Sequence, residues 1–260
     1  MTTLANNADA PTHTPGVRPV KSASRTVELL EFLARRISNP PRLMEICEEL
    51  DVPRSSAYAL LRTLIDSEWV MDDGKDGYAL GIRALTVGTA YIDADPYVRI
   101  IRPILSDLAS KLDETFHLGR FNAGEMVYLV TQQAQRSVRN YSRVGRRLPA
   151  TATGLGKAIL ALRETEIPET FPAVTHKTIT KKKALLADLE QVRERGYALD
   201  HEENTPGIHC IAFALPYNSP VRDAISCSIP TSRWSAEKER EIANAMRIAV
   251  HRIVDSAPIA

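Results

Sequence analysis

Cysteine is scarce in this chain of 260 residues. Cys47, Cys210 and Cys227 lie far apart and no two stand at C-x-x-C spacing, which excludes a disulfide framework and a zinc knuckle and fits a reducing compartment. Long apolar runs are missing too. None approaches the roughly 18 residues of a membrane span, and no charged segment followed by an apolar one opens the chain as a secretory signal would. The expected setting is the cytoplasm, with no membrane contact. Charge of one sign is not in excess, with 33 Lys and Arg against 32 Asp and Glu. A polybasic nucleic-acid coat is thereby excluded, whereas a small DNA-reading module is not. Catalytic signatures are lacking as well. There is no G-x-S-x-G, no activated-cysteine motif, and no H-x-x-x-H or H-E-x-x-H among the six histidines. The stretch Ala152-Thr153-Gly154-Leu155-Gly156-Lys157-Ala158 fails as a phosphate loop, because Thr151 replaces the first glycine and Ala158 the Ser or Thr after the lysine.

What is present is an ordinary globular composition, 44% hydrophobic and 25% charged, with enough apolar material for a core and a length that suits one or two domains. Residues 1–17 are polar and rich in Thr, Asn, Ala and Pro, and are expected to form a disordered tail. From Ser22 to Ile37, apolar Ala23, Val27, Leu30, Ala34 and Ile37 recur at helical spacing. A second helix is expected from Arg42 to Leu50, with Leu43, Ile46, Cys47 and Leu50 inward, and a third from Pro53 to Ser67, with Ala57, Leu60, Leu61 and Leu64 inward. Apolar runs at 68–71 and 78–80 flank Asp72-Asp73-Gly74-Lys75-Asp76-Gly77, a hairpin turn.

Three short helices and a hairpin make a winged helix-turn-helix over residues 18–83. The outer face of the third helix carries Arg54, Ser55, Ser56, Tyr58, Ala59 and Arg62, and such a face can lie in a major groove. A small helical domain with a merely wetted face fits the same pattern. The segment holds ten Lys or Arg and eleven Asp or Glu, so any basic footprint must be local: Arg18, Lys21 and Arg25 at its start, Arg54 and Arg62 on the third helix.

A connecting helix is expected at 82–95, broken by Asp95-Pro96, and another at 97–113 with Val98, Ile101, Leu105, Leu108 and Leu112 inward. Beyond it strands and helices alternate. Strands are expected at 115–121, 125–131, 197–201, 208–217 and 221–229, and helices at 153–162, at 181–195 capped by Thr180 and ended by Gly196, and at 235–254 with Ile242, Met246, Ile248 and Ile253 inward. The expected class is α+β with an antiparallel sheet: tail 1–17, DNA-binding domain 18–83, linker helix 84–95 and a second domain 96–260.

Within that second domain Ser226 and Ser228 stand two apart on one strand, so their hydroxyls share a face while Cys227 points the other way. If that face is interior, a hydroxylated or carboxylate ligand can satisfy them. If it is solvent-facing, they need nothing. Gly154 and Gly156 line a helix entry suited to a small anion or to close helix–sheet packing. His201 and His209 can approach across adjacent strands, but no metal-ligand spacing supports them and no metal or cofactor is expected. Arg136, Arg139, Arg143, Arg146 and Arg147 have no acid between them and suit a solvated or subunit-contacting face more than an anion or DNA contact.

The ordered motifs resemble the IclR family of bacterial transcriptional regulators. They are Val20–Arg25, Val52–Tyr58 through Leu64, Gly77–Gly81, Val144–Ala161, Val192–Glu203 and Gly207–Ala212. The resemblance implies a winged helix-turn-helix, a linker helix and a GAF-like C-terminal domain that binds a small effector, often an organic, aromatic or sugar acid. It implies a homodimer or a homotetramer (dimer of dimers) on a double-stranded palindromic operator. The implied DNA-binding residues are Arg25, Arg54, Ser55, Ser56, Tyr58 and Arg62. The implied effector pocket is lined by Thr153, Gly154, Leu155, Asp200, Cys210, Ser226 and Ser228, with His117 nearby. Three departures stand out: Ala59 where an Arg is usual, Ser56 where a Thr is usual, and Leu155 where a small residue is usual, which narrows the pocket. An enzyme acting on a small acyl or phosphoryl metabolite is the competing reading, weakened by the lack of a nucleophile–base pair.

Overall fold

A computed structural model describes residues 20–72, 74–75, 77–134 and 144–258. The tail 1–17 and Arg136, Arg139 and Arg143 of the arginine run lie outside the described residues. The chain divides into two compact units, residues 1–90 and 91–260.

In the first unit, helices α1 (Lys21–Arg35), α2 (Leu43–Leu50) and α3 (Arg54–Asp66) precede a two-stranded antiparallel wing, β1 (Val70–Asp72) and β2 (Tyr78–Leu80). The turn between α2 and α3 is short because Asp51 takes a left-handed conformation, φ 47°, and Pro53 pre-sets entry into α3. One core gathers Leu29, Phe32, Leu33, Ile46, Leu50, Val52, Ala57, Leu61, Leu64 and Val70. The α1 face differs from the sequence expectation. Val27 is 55% and Ile37 79% exposed, and the buried stripe is Leu29, Phe32 and Leu33. Two apolar stripes compete on this helix, and the one with the larger side chains removes more apolar area from water. Gly81 closes the wing. A Cβ there would stand 2.1 Å from the Glu68 carbonyl oxygen, while its own N–H donates to Trp69 O at 2.8 Å.

Helix α4 (Ile82–Ala94) follows and buries none of its residues. Helix α5 (Pro96–Leu112) starts at Asp95, whose Oδ1 accepts the N–H groups of Tyr97 and Val98 at 2.9 and 3.2 Å. The second unit is built on six antiparallel strands: β3 (Thr115–Asn122), β4 (Glu125–Gln132), β5 (Arg147–Pro149), β6 (Ala198–His201), β7 (Ile208–Leu215) and β8 (Asp223–Pro230). Their order is β5-β4-β3-β8-β7-β6. Strand β5 has no counterpart among the expected strands. It takes up Arg147, which the sequence placed in a solvated run, and Arg147 pairs with Glu125 across β4.

Period-two alternation assigns the two faces. Ile211, Phe213 and Leu215 of β7 and Ile225, Cys227 and Ile229 of β8 pack on α5 and on α8 (Ala236–Ser256). The opposite face carries small residues, Ala198, Ala212 and Ala224, and receives α6 (Gly154–Leu160) and α7 (Lys182–Arg195). Two further expectations fail in detail. Thr180 does not cap α7; Lys181 occupies the N-cap position and makes no side-chain cap bond. Ile248 is 72% exposed, because the inward series on α8 runs Ile242, Ala243, Met246, Ala249 and Ile253, one residue out of phase with it.

A buried electrostatic knot holds the start of α5 to the sheet. Arg120 of β3 donates to both oxygens of Asp223 at 2.7 Å, to Asp95 and, at 3.1 Å, to the Tyr91 hydroxyl of α4. The Tyr217 hydroxyl donates to Asp223 at 2.7 Å. Burial is the first influence on Arg120 and opposes its charge, but the two carboxylates overcome it and raise the guanidinium pKa.

Candidate functional site

Two places in the chain gather the polar residues singled out from the sequence. The first is the outer face of α3. Arg54, Ser55, Ser56, Tyr58 and Arg62 are all exposed, with Arg54, Tyr58 and Arg62 along one stripe at i, i+4 and i+8. Arg54, Ser55 and Tyr58 share a concave surface with Arg42, Leu43, Met44, Asp72 and Tyr78, contributed by the start of α2 and by the wing. Ser56, Arg62 and Arg25 lie outside that concavity. Arg62 pairs with Asp66 at 3.6 Å, and Arg25 is half-buried on α1.

The near-zero charge of this unit is local in its consequences. Arg35 pairs with Glu49, Arg36 with Glu45 and Arg83 with Glu68. The Glu45 carboxyl is held below the usual range, first by the Arg42 N–H it accepts at 2.9 Å and then by Arg36. These acids are occupied at home, whereas Arg54 makes no ion pair among the described residues. Arg42 was missed from sequence. Only its fold-dependent pairing with Gly77 of the wing brings it beside Arg54.

The second place lies between α6 and the small-residue face of the sheet. A cavity there is lined by Thr153, Gly154, Leu155, Asp200, Cys210, Ser226 and Ser228, which are the residues expected, together with Tyr128, Asn204, Thr205 and Ile208. Ser226 is 3% exposed, and Cys227 sits in the opposite core as the alternation requires. Cys210 Sγ and Ser228 Oγ are 3.4 Å apart. His117 stands across from Ser226 in the β3–β8 pair. Its ring meets Tyr128 edge-on and its Nδ1 is 3.1 Å from Thr131 Oγ1, so it backs the cavity rather than lining it.

Close approach of α6 shapes this site. Thr153 caps the helix, accepting Gly156 N–H at 3.1 Å, and a Cβ on Gly156 would stand 2.1 Å from Ala150 O. The remaining space is small, about 10 Å3, room for about one water molecule. Leu155 is one cause. Its Cδ1 lies 2.9 Å from where a Cβ on Gly119 would be, so it fills the gap under β3.

A buried ionic cluster lies beside the cavity. Lys157 is 1% exposed, and its Nζ meets Glu203 Oε1 at 2.6 Å and Asp188 Oδ2 at 2.9 Å. Asp200 Oδ1 accepts the Glu203 N–H at 2.7 Å. Burial, and then the Glu203 charge, push the Asp200 carboxyl up to about 6, against the opposing pull of Lys157. Lys157 was noticed in the sequence only as part of a failed phosphate loop. Asp188 carried no signal there and Glu203 only ended the Val192–Glu203 motif, since surface charge is the ordinary fate of such residues.

With both places described, the chain can be set beside known proteins. The family model described as bacterial transcriptional regulator IclR C-terminal matches residues 89–255, and the IclR helix-turn-helix domain model matches residues 22–74. The chain belongs to the IclR family. It is 31% identical to the HTH-type transcriptional regulator KdgR of Escherichia coli, over 81% of this chain and 83% of that protein. It is 30% identical to the transcriptional repressor IclR of the same organism, over 87% and 86%. The crystal structure of an IclR transcriptional regulator from Alicyclobacillus acidocaldarius superposes with a TM-score of 0.79 at 24% identity, covering 92% of this chain and 99% of that one. An IclR homolog from Microbacterium hydrocarbonoxydans, complexed with 4-hydroxybenzoate, superposes with a TM-score of 0.72 at 19% identity, covering 91% and 100%. This IclR-family chain is therefore a DNA-binding transcriptional regulator with a C-terminal effector-binding domain, of α+β fold. The relatives named are regulators and repressors, and the enzyme reading finds no support in them. No helix among the described residues is long and apolar enough to cross a membrane.

Proposed function

We propose that this regulator is a cytoplasmic, ligand-switched reader of a palindromic operator, with domains at 18–83 and 96–260 joined by the helix 84–95. Arg54, Ser55, Ser56 and Tyr58 meet base edges and phosphates, and Arg25, Arg42 and Arg62 contact the backbone on either side. The exposure of this α3 face supports the reading. Arg54→Ala is expected to weaken operator binding by about 1–3 kcal/mol while leaving the fold intact. Anisotropy titrations at several salt concentrations check it, since a phosphate contact also lowers the salt slope by about 1. Unchanged affinity and slope would remove Arg54 from the interface.

The effector is a small hydroxylated organic acid. The observation that carries this is the cavity lined by Thr153, Asp200, Cys210, Ser226 and Ser228, hydrogen-bonding side chains on a buried face. Asp200 accepts from a ligand hydroxyl, and the Ser226 and Ser228 hydroxyls donate to a carboxylate. A cavity of about 10 Å3 must open for any such ligand, with Leu155 as the side chain that moves. The 4-hydroxybenzoate on the Microbacterium homolog supports the same class. Ser226→Ala is expected to weaken effector binding by about 1–3 kcal/mol, measured calorimetrically after a thermal-shift screen of organic, aromatic and sugar acids. An unchanged Kd takes Ser226 out of the pocket.

A second copy of the chain covers α4. Ile82, Leu85, Val87 and Tyr91 are all more than half exposed on a helix that buries nothing, and a homodimer or pair of dimers removes that apolar surface from water. Effector binding then acts by favouring one arrangement of the paired α3 helices over another, with a coupling of about 1–3 kcal/mol.

A further inference from the structure

On the outer edge of the C-terminal sheet two histidines face each other. His201 and His209 are direct cross-strand partners at the mouth of the β6–β7 hairpin, and β6 is the edge strand. Their Nδ1 atoms lie 2.8 Å apart. Trp234 backs the pair, stacked on His209 at 4.7 Å between centroids and edge-on to His201 at 5.7 Å. The rings are thereby fixed against one indole, with one side of His201 open to solvent.

Two imidazoles this close share one hydrogen: one Nδ1–H donates to the other ring's lone pair. The same spacing suits chelation, since two nitrogens each about 2.0–2.1 Å from one tetrahedral ion stand a little over 3 Å apart. We propose that His201 and His209 form a bidentate site for one divalent transition-metal ion of borderline softness, such as Ni2+ or Zn2+. Ligation through both Nδ1 atoms requires the shared hydrogen to move to Nε2 of the ring that donated it, and both rings stay neutral. No proton is released overall, and no redox partner is needed.

The surroundings favour the neutral rings that ligation requires. Burial holds both histidines below the usual imidazole range. His209 and Lys157 act on His201 in the same direction, Glu239 opposes and Arg195 adds slightly. Glu202 opposes and Lys177 reinforces at His209. Lys177 in turn pairs with Glu202, so that carboxylate is engaged elsewhere. No group of three His, Cys, Asp or Glu among the described residues is arranged to hold a metal ion, so water completes the coordination and the affinity is that of a two-ligand site. The position gives the ion a structural consequence. The loop 202–207 between the two strands contributes Asn204 and Thr205 to the cavity wall and Glu203 to the Lys157 cluster. An ion on His201 and His209 pins the strand ends that frame this loop.

The test uses untagged full-length protein titrated calorimetrically with NiCl2 and, separately, ZnCl2. One saturable equivalent per chain is expected, weakened by about tenfold or more in His201→Ala and equally in His209→Ala, and retained in His251→Ala, whose ring lies exposed on α8. His201→Gln keeps a polar side chain against Trp234 but removes the ring nitrogens. Loss of binding there with an unchanged melting temperature separates ligation from folding. Absence of saturable binding in the parent protein, or equal affinity in the parent and both His variants, would overturn the site.

Discussion

Lys157→Met lowers the stability of the C-terminal unit by about 3–5 kcal/mol, the cost of leaving buried charge without its partner. Lys157 reaches Glu203 and Asp188 at once, so the substitution strands a carboxylate on the loop before β7 and another on α7. Methionine fills much the same volume, which removes cavity formation as an explanation. For a unit of 91–260 the melting temperature should fall by about 6–20 °C. The cause is tested by relief. Lys157→Met combined with Glu203→Gln and Asp188→Asn should recover most of the loss, because neutral amides tolerate burial far better than carboxylates. If the triple variant melts as low as the single one, the ion pairs are not what Lys157 supplies.

Asp200→Asn has the opposite sign. Lys157 pairs with Asp188 and Glu203, and Asp200 beside them has its carboxyl raised to about 6 from 3.8, first by burial and then by the Glu203 charge. A folded-state pKa above the unfolded one means that the folded protein holds its proton more tightly. The associated stabilisation is complete below about pH 4 and is lost as pH rises through about 6. Above that, ionised Asp200 costs the fold about 3 kcal/mol at most, taking 1.36 kcal/mol per pKa unit. Asparagine carries no such charge and still offers an oxygen to the Glu203 N–H. Asp200→Asn should therefore raise the melting temperature at pH 7–8 and make no difference near pH 4. Equal effects at both pH values would contradict the assignment. The same variant should bind the effector more weakly, since a carboxylate in the cavity wall accepts a ligand hydroxyl more strongly than an amide does.

How much of this was legible in the sequence depends on how local the signal is. Ser226, Cys227 and Ser228 were readable because strand alternation is a property of three consecutive residues, and β8 places them as read. The same holds for the polar stripe Arg54, Tyr58 and Arg62 on α3. Signals fail where two local patterns compete or where a partner is remote. On α1 the Val27 stripe and the Leu29, Phe32, Leu33 stripe are both periodic, and only packing on α2 and α3 selects the second. Ile248 is one of the isoleucines of α8 in the sequence, although the phase of that helix keeps it out of the core. Lys157 gave no hint of its role, since Asp188 and Glu203 lie 31 and 46 residues away and meet it only through the sheet. The cavity wall contributed by Asn204 and Thr205 was missed for the same reason: a polar loop has no periodicity to read.

One measurement bears on the whole account most directly. Fluorescence anisotropy with duplexes tiled across the intergenic DNA beside the gene, with and without a hydroxylated acid found by thermal shift, reads DNA binding and switching together. The account predicts a specific duplex whose affinity changes by about 5–150-fold on adding the acid, with the acid concentration needed for that change raised by about 5–150-fold in Ser226→Ala while ligand-free DNA binding persists. An acid that binds the protein saturably yet leaves its affinity for that duplex unaltered would contradict it.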